Sequence, residues 1–138
     1  MTITITRSEH SKQAELESIK VKTIAEFEDK IGSLRNKIMT PILGQDYVYQ
    51  SKYAEAMEFI NTGSSSGPFL TREAEARNVD VNTIVTIVLS SKQVMDSNLA
   101  DLEVLRFNFK EAISNVTSKQ ELSNTLLVFE EMLQTYED

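Results

Sequence analysis

Few side chains in this chain are of the types that do acid–base, metal or nucleophilic chemistry, and their spacing does not gather them. His10 is the sole histidine. It lies ahead of the first helical pattern, between Glu9 and Ser11. A zinc site or a Ser-His-Asp triad needs several convergent groups, so a lone histidine in a polar segment reads as a solvent-exposed bystander. There is no cysteine, hence no thiolate ligand, thiol nucleophile or disulfide framework. The carboxylates cluster as Glu73 with Glu75 and Glu130 with Glu131. General acid–base work requires surroundings that split the two pKa values, and close neighbours on a helix do not face each other. Both pairs read as solvated faces. The run Thr62-Gly-Ser-Ser-Ser-Gly67 offers backbone donors for a phosphate, yet it lacks the Gly-Lys-Ser/Thr ending and no strand feeds it. It reads as a flexible connector. Tyr47, Tyr49, Tyr53, Phe107 and Phe109 could stack bases, but Tyr49 and Tyr53 are four apart, the spacing of a core or interface face on a helix. These readings imply a protein that is not an enzyme and needs no cofactor, nucleotide or metal.

Composition narrows the partners. At 138 residues the chain is one domain of ordinary size, able to bury a core. Its 41% apolar content is slightly low for a compact globule. That fits an elongated bundle, or a protomer that completes its core in an oligomer. A net charge of −7 argues against nucleic acid and anionic membrane, both of which reward clustered Lys and Arg. No apolar run approaches the roughly 18 residues of a membrane span. Ile84 to Leu89 is the most apolar segment. The segment Met1–Arg7 lacks the charged start and apolar middle of a secretory signal. Asn115-Val116-Thr117 matches a glycosylation sequon and, with no such signal, reads as a chance match.

The elements follow from periodicity. Thr2 to Thr6 alternates Thr and Ile, the strand pattern, with no matching strand nearby. It is either a loose tail or a strand that pairs with another chain. A long helix starts at Ser8 or Ser11. Within it Ile24, Phe27, Ile31, Leu34 and Ile38 step by three, four, three and four, a heptad-like seam. Upstream the seam degrades, because Glu17 and Lys20 occupy the extrapolated slots. Gly32 weakens this helix, and Pro41 stops it near Met39. Asp46 is expected to cap a second helix with Tyr49, Tyr53, Ala56, Met57 and Ile60 on one face. Thr71 is expected to cap a short helix that Asn78 ends in a left-handed conformation. Asp80 is expected to cap a helix whose period holds from Val81 to Ile113 without Pro or Gly, which favours one long helix over two. Ser118 with Glu121 forms a capping box that opens a last helix. Acids at its end, Glu130, Glu131, Glu137 and Asp138, oppose the helix dipole and should fray it unless a basic partner holds them. The fold class expected is all-α: an elongated helical bundle with a long coiled-coil-like N-terminal helix, a C-terminal helical hairpin and a short extended N-terminus. The divisions are 1–7, 8–40 and 41–138.

One stretch points further. Tyr49-Gln50-Ser51-Lys52-Tyr53-Ala54-Glu55-Ala56 is followed by Pro68-Phe69-Leu70 and by Glu73-Ala74-Glu75-Ala76-Arg77. This order resembles a small helical domain that recurs in tail-fibre and tail-assembly proteins of tailed phages (the DUF4376-like group). The resemblance runs from about Leu34 to about Ile113. It implies a structural protein of the phage tail, a fibre-associated or adaptor component located in the virion and made in the host cytoplasm. Its partners would be other tail proteins and further copies of itself, with no nucleic acid and no membrane insertion. In that setting the interface candidates are Ile3 and Ile5 on the attachment strand and Ile24, Phe27, Ile31, Leu34 and Ile38 on the seam. The seam equally suits packing inside the chain's own bundle. Two other readings stand beside this one: a tail-fibre assembly chaperone, and a small acidic regulatory protein that masks a basic host partner.

Overall fold

The computed structural model describes residues 8–39, 44–64 and 67–137. Every element among them is a helix: α1 (Glu9–Ile38), α2 (Gln45–Thr62), α3 (Pro68–Arg77), α4 (Val81–Asn115) and α5 (Lys119–Glu137). The all-α class holds. The Thr2–Thr6 segment, with Ile3 and Ile5, lies outside the described residues. α4 runs unbroken through its β-branched opening, where Ile84 and Val85 are buried and Val88 packs against their cluster. No helix among the described residues is long and apolar enough to cross a membrane.

The chain forms two compact units. One combines α1 up to Arg35 with the chain from Asp101 onward, and the other runs Asn36–Ala100. In the first unit α1 buries Leu16, Lys20, Thr23, Phe27, Ile31 and Leu34. Phe27 stacks on Phe109 with ring centroids 3.8 Å apart, and Phe129 of α5 meets both edge-on at 6.3 and 5.3 Å. Leu102, Leu105, Ile113, Leu122 and Leu133 complete this core. Each such side chain contributes about 1.5–3 kcal/mol relative to exposure. Phe109 of α4 and Phe129 of α5 are in contact, and Val116 in the link between the two helices is buried.

The seam does not degrade at Lys20. Lys20 is only 6% exposed, and its ammonium donates to the carbonyl of Ser114 at 2.9 Å and to Glu17 at 3.2 Å. A cation brought by α1 against the last turn of α4 satisfies an orphan carbonyl and complements the dipole. Thr23 is tolerated inside because its hydroxyl donates to the carbonyl of Ile19 at 2.7 Å. The buried stripe therefore runs through Lys20 and Thr23, and Ile24 is only half-buried.

Helix ends mostly follow the sequence signals. Ser8 accepts from the amide of Ser11 at 3.1 Å, and Ser118 accepts from that of Glu121 at 3.1 Å. Glu121 reaches one residue past the usual box partner and accepts from the amide and hydroxyl of Thr117, both at 3.0 Å. Those hydrogen bonds hold its carboxyl below the usual range. Asn78 ends α3 at φ 57. α2 differs: it begins at Gln45 after Gly44, so Asp46 sits inside the first turn rather than at the cap. α5 continues through Glu137, and a basic partner does hold part of its acidic end, since Lys30 binds Glu130 at 3.1 Å.

Arg106 carries the largest ion-pair cluster of the first unit. It binds Glu28 at 2.9 Å and Glu103 at 2.6 Å, and Arg35 also binds Glu103. The Arg106 hydrogen bonds, reinforced by Arg35, lower the Glu103 carboxyl from 4.5 to about 2. Glu103 and then Glu28 raise the Arg106 guanidinium in turn.

Candidate functional site

The second unit is built at the junction of α2 and α3. Glu55 of α2 is 8% exposed, and its carboxylate accepts from the backbone amides of Phe69 at 3.2 Å and Leu70 at 2.9 Å. These are donors that the first turn of α3 leaves without intrahelical partners. Pro68, at the start of that turn, has no amide to satisfy. Gly67 precedes it, and a Cβ there would collide with the Glu55 side chain. The helix thus begins at Pro68 with its cap supplied by another helix. Thr71, expected as the cap, lies inside α3 and donates its hydroxyl to the carbonyl of Gly67 at 3.1 Å. That cap escapes sequence reading because its donor and acceptor lie on different helices.

Further ties fix the two helices. Lys52, one turn before Glu55, pairs with Glu73, one turn after Leu70. Arg77 pairs with the same carboxylate at 3.4 Å. Glu73 is therefore no solvated face: its side chain is 19% exposed, whereas Glu75 is open to solvent. Beneath the pair, Ala56, Leu70 and Ala74 pack on Ile84 and Val85 of α4. The small alanines let the helices approach closely.

A cleft of about 540 Å³ opens among these helices. Tyr49 and Tyr53 of α2 form one wall, and Ile87, Val88 and Met95 of α4 form the other. Lys52, Glu73 and Arg77 line one part of it. Lys92 stands 4.8 Å from the centre of the Tyr53 ring, a cation–π contact, and binds Asp96 at 2.9 Å. Its lining carries Lys52, Arg77 and Lys92 against Glu73, and with Asp96 on Lys92 the three cations face two carboxylates, a local positive excess in a chain whose net charge is −7. The volume falls within the roughly 300–1,000 Å³ of binding pockets. Apolar aromatic walls with a local excess of positive charge suit a group that is greasy along its length and carries a carboxylate.

The sequence-predicted residues separate in space. Phe27, Ile31 and Leu34 are buried in the first unit's own core, and Ile24 is half-buried beside them. Ile38 instead lines the cleft of the second unit. His10 is exposed, as are Tyr47 and Phe107, while Phe109 is fully buried. Among the described residues no group of three or more His, Cys, Asp or Glu is placed to hold a metal ion. Tyr49 and Tyr53 carried a sequence signal, their spacing of four. Lys92 carried none, since it is an ordinary polar position on a long helix. The stretches Tyr49–Ala56 and Glu73–Arg77 contain the cap (Glu55), the ion pairs (Lys52, Glu73, Arg77), the close packing (Ala56, Ala74) and a cleft wall (Tyr49, Tyr53). No known protein family, curated protein or solved structure matches this chain.

Proposed function

We propose that this chain is a non-enzymatic docking protein, a fibre-associated or adaptor component of a phage tail that holds neighbouring tail proteins. The observation that carries the docking reading is the cleft between α2, α3 and α4, with Tyr49, Tyr53, Ile87 and Met95 as walls and Lys52, Arg77 and Lys92 around them. Such a lining anchors a partner's apolar side chains and orients its acids. Placement in the tail is supported by the likeness of Tyr49–Ala56 and Glu73–Arg77 to the tail domain. The seam residues Phe27, Ile31 and Leu34 serve the chain's own core, so the cleft is the better docking surface.

Mass spectrometry of purified particles tests the assignment. A stoichiometric amount of the chain in the particle supports it. Its presence only in infected-cell extract, bound to a fibre protein, would replace it with the assembly-chaperone reading.

A further inference from the structure

The outer face of α5 has the chemistry that the cleft lacks. Leu127, Val128 and Met132 are 59%, 50% and 46% exposed, although the same helix buries Leu122 and Leu133. Val128 and Met132 are one turn apart, and Glu131 lies between them on the exposed side. Glu131 has no ion-pair partner among the described residues, whereas Glu130 beside it is held by Lys30. The outer face of α5 is thus an amphipathic strip with two apolar anchors at helical spacing and an open carboxylate. The cleft of the second unit offers the complement: two tyrosines facing apolar side chains of α4, and a surplus of cations.

We propose that the outer face of α5 of one copy docks into the α2–α3–α4 cleft of another copy. The proposal rests on the docking reading given above and names the partner as a second copy of this chain. In it Val128 and Met132 enter between Tyr53 and Ile87, and Glu131 approaches Lys92 and Arg77. Charge complementarity selects this pairing. Two chains of net charge −7 repel, and association requires a place where the sign reverses. The cleft supplies that reversal, and the α5 strip, with Val128, Met132 and the open Glu131, is an apolar surface that carries a matching acid. Because the two patches are different, the contact is heterologous. Each copy then has one free patch of each kind, and repetition closes a ring or extends a filament.

The test uses the full chain and two variants of exposed or half-exposed positions. The cleft variant carries Ile87→Asp and Lys92→Glu; the α5 variant carries Val128→Lys and Glu131→Lys. Circular dichroism and thermal melts first establish that both fold. Sedimentation velocity then reads mass from about 1 μM to about 1 mM, the span over which weak to moderate contacts populate. The expected result is a wild-type chain larger than a monomer, each variant monomeric alone, and an equimolar mixture that forms a one-to-one dimer and stops there. The mixture stops because it contains one intact cleft and one intact strip. A wild-type chain that stays monomeric throughout overturns the proposal, whatever other protein the cleft holds in the particle. So does a mixture that stays monomeric while the wild type associates, since the two patches are then not each other's partners. Variants that associate as wild type does overturn it too.

Discussion

Glu55 does two jobs with one carboxylate: it ends the amide deficit of α3 and ties that helix to α2. Glu55→Ala leaves two amides of the α3 first turn without this acceptor and should cost about 2–3 kcal/mol, measured by chemical denaturation. Gly67→Ala should cost about 1–3 kcal/mol, because its new methyl displaces the Glu55 side chain from the cap. The two changes strike the same contact, so the double variant should cost clearly less than their sum. Simple additivity would show that Gly67 is needed for its backbone alone. Glu103 makes the acid response predictable. Its folded pKa of about 2 lies below the ordinary 4.5, so its pairing contributes stability above pH 4.5 that is lost as pH falls towards 2. Glu121 shifts in the same direction. Both are exposed, and salt should shrink the effect. Melting temperature should fall across that window in wild type and fall less steeply in Glu103→Gln. The Glu55 cap and the Glu28–Arg106 and Arg35–Glu103 pairs could not be read from the sequence, because each joins residues far apart in the chain, whereas Arg106 lies one turn from Glu103.

Helices were legible where periodicity and end signals are local. The seam over Phe27, Ile31 and Leu34, the serines at residues 8 and 118, the left-handed Asn78 and the unbroken α4 all follow from spacing and side-chain type. Ser118→Ala should destabilise by about 1 kcal/mol, seen in the denaturant midpoint, since it removes the acceptor for the Glu121 amide. The starts of α2 and α3 differ from the expectation, because the caps are Gly44 and Gly67, with no capping side chain, rather than Asp46 and Thr71. Lys20 was misread for the opposite reason: a charged residue in an apolar slot looks like the end of a pattern, and here it serves the last turn of α4. α1 permits a clean contrast. Phe27→Ala should cost about 3–5 kcal/mol, because the ring is buried in a stack of three. Gly32→Ala should stabilise by about 1 kcal/mol, since a Cβ there meets nothing and alanine favours the helix. Melts of equal midpoint for the two would contradict the packing of α1.

At the scale of the molecule, the all-α class was readable from the sequence but the two units were not. Helical period says which face of α1 or α4 is buried, and nothing about which residues bury it. α4 contributes Val81–Ala100 to one unit and Asp101–Asn115 to the other without any break in its pattern. The cleft was half legible: Tyr49 and Tyr53 showed a face, but its positive lining is assembled from Lys52, Arg77 and Lys92 on three helices. The central claim is that this cleft, and not the α1 seam, is where the protein docks. Hydroxyl-radical footprinting of side chains, on the dilute chain and on its assembled form, tests it most directly. Assembly should shield Tyr49, Tyr53 and Met95 from labelling and leave the exposed side of α1, marked by Val21, as reactive as before. Unchanged labelling of the two tyrosines and Met95, with new shielding along α1, would contradict the account.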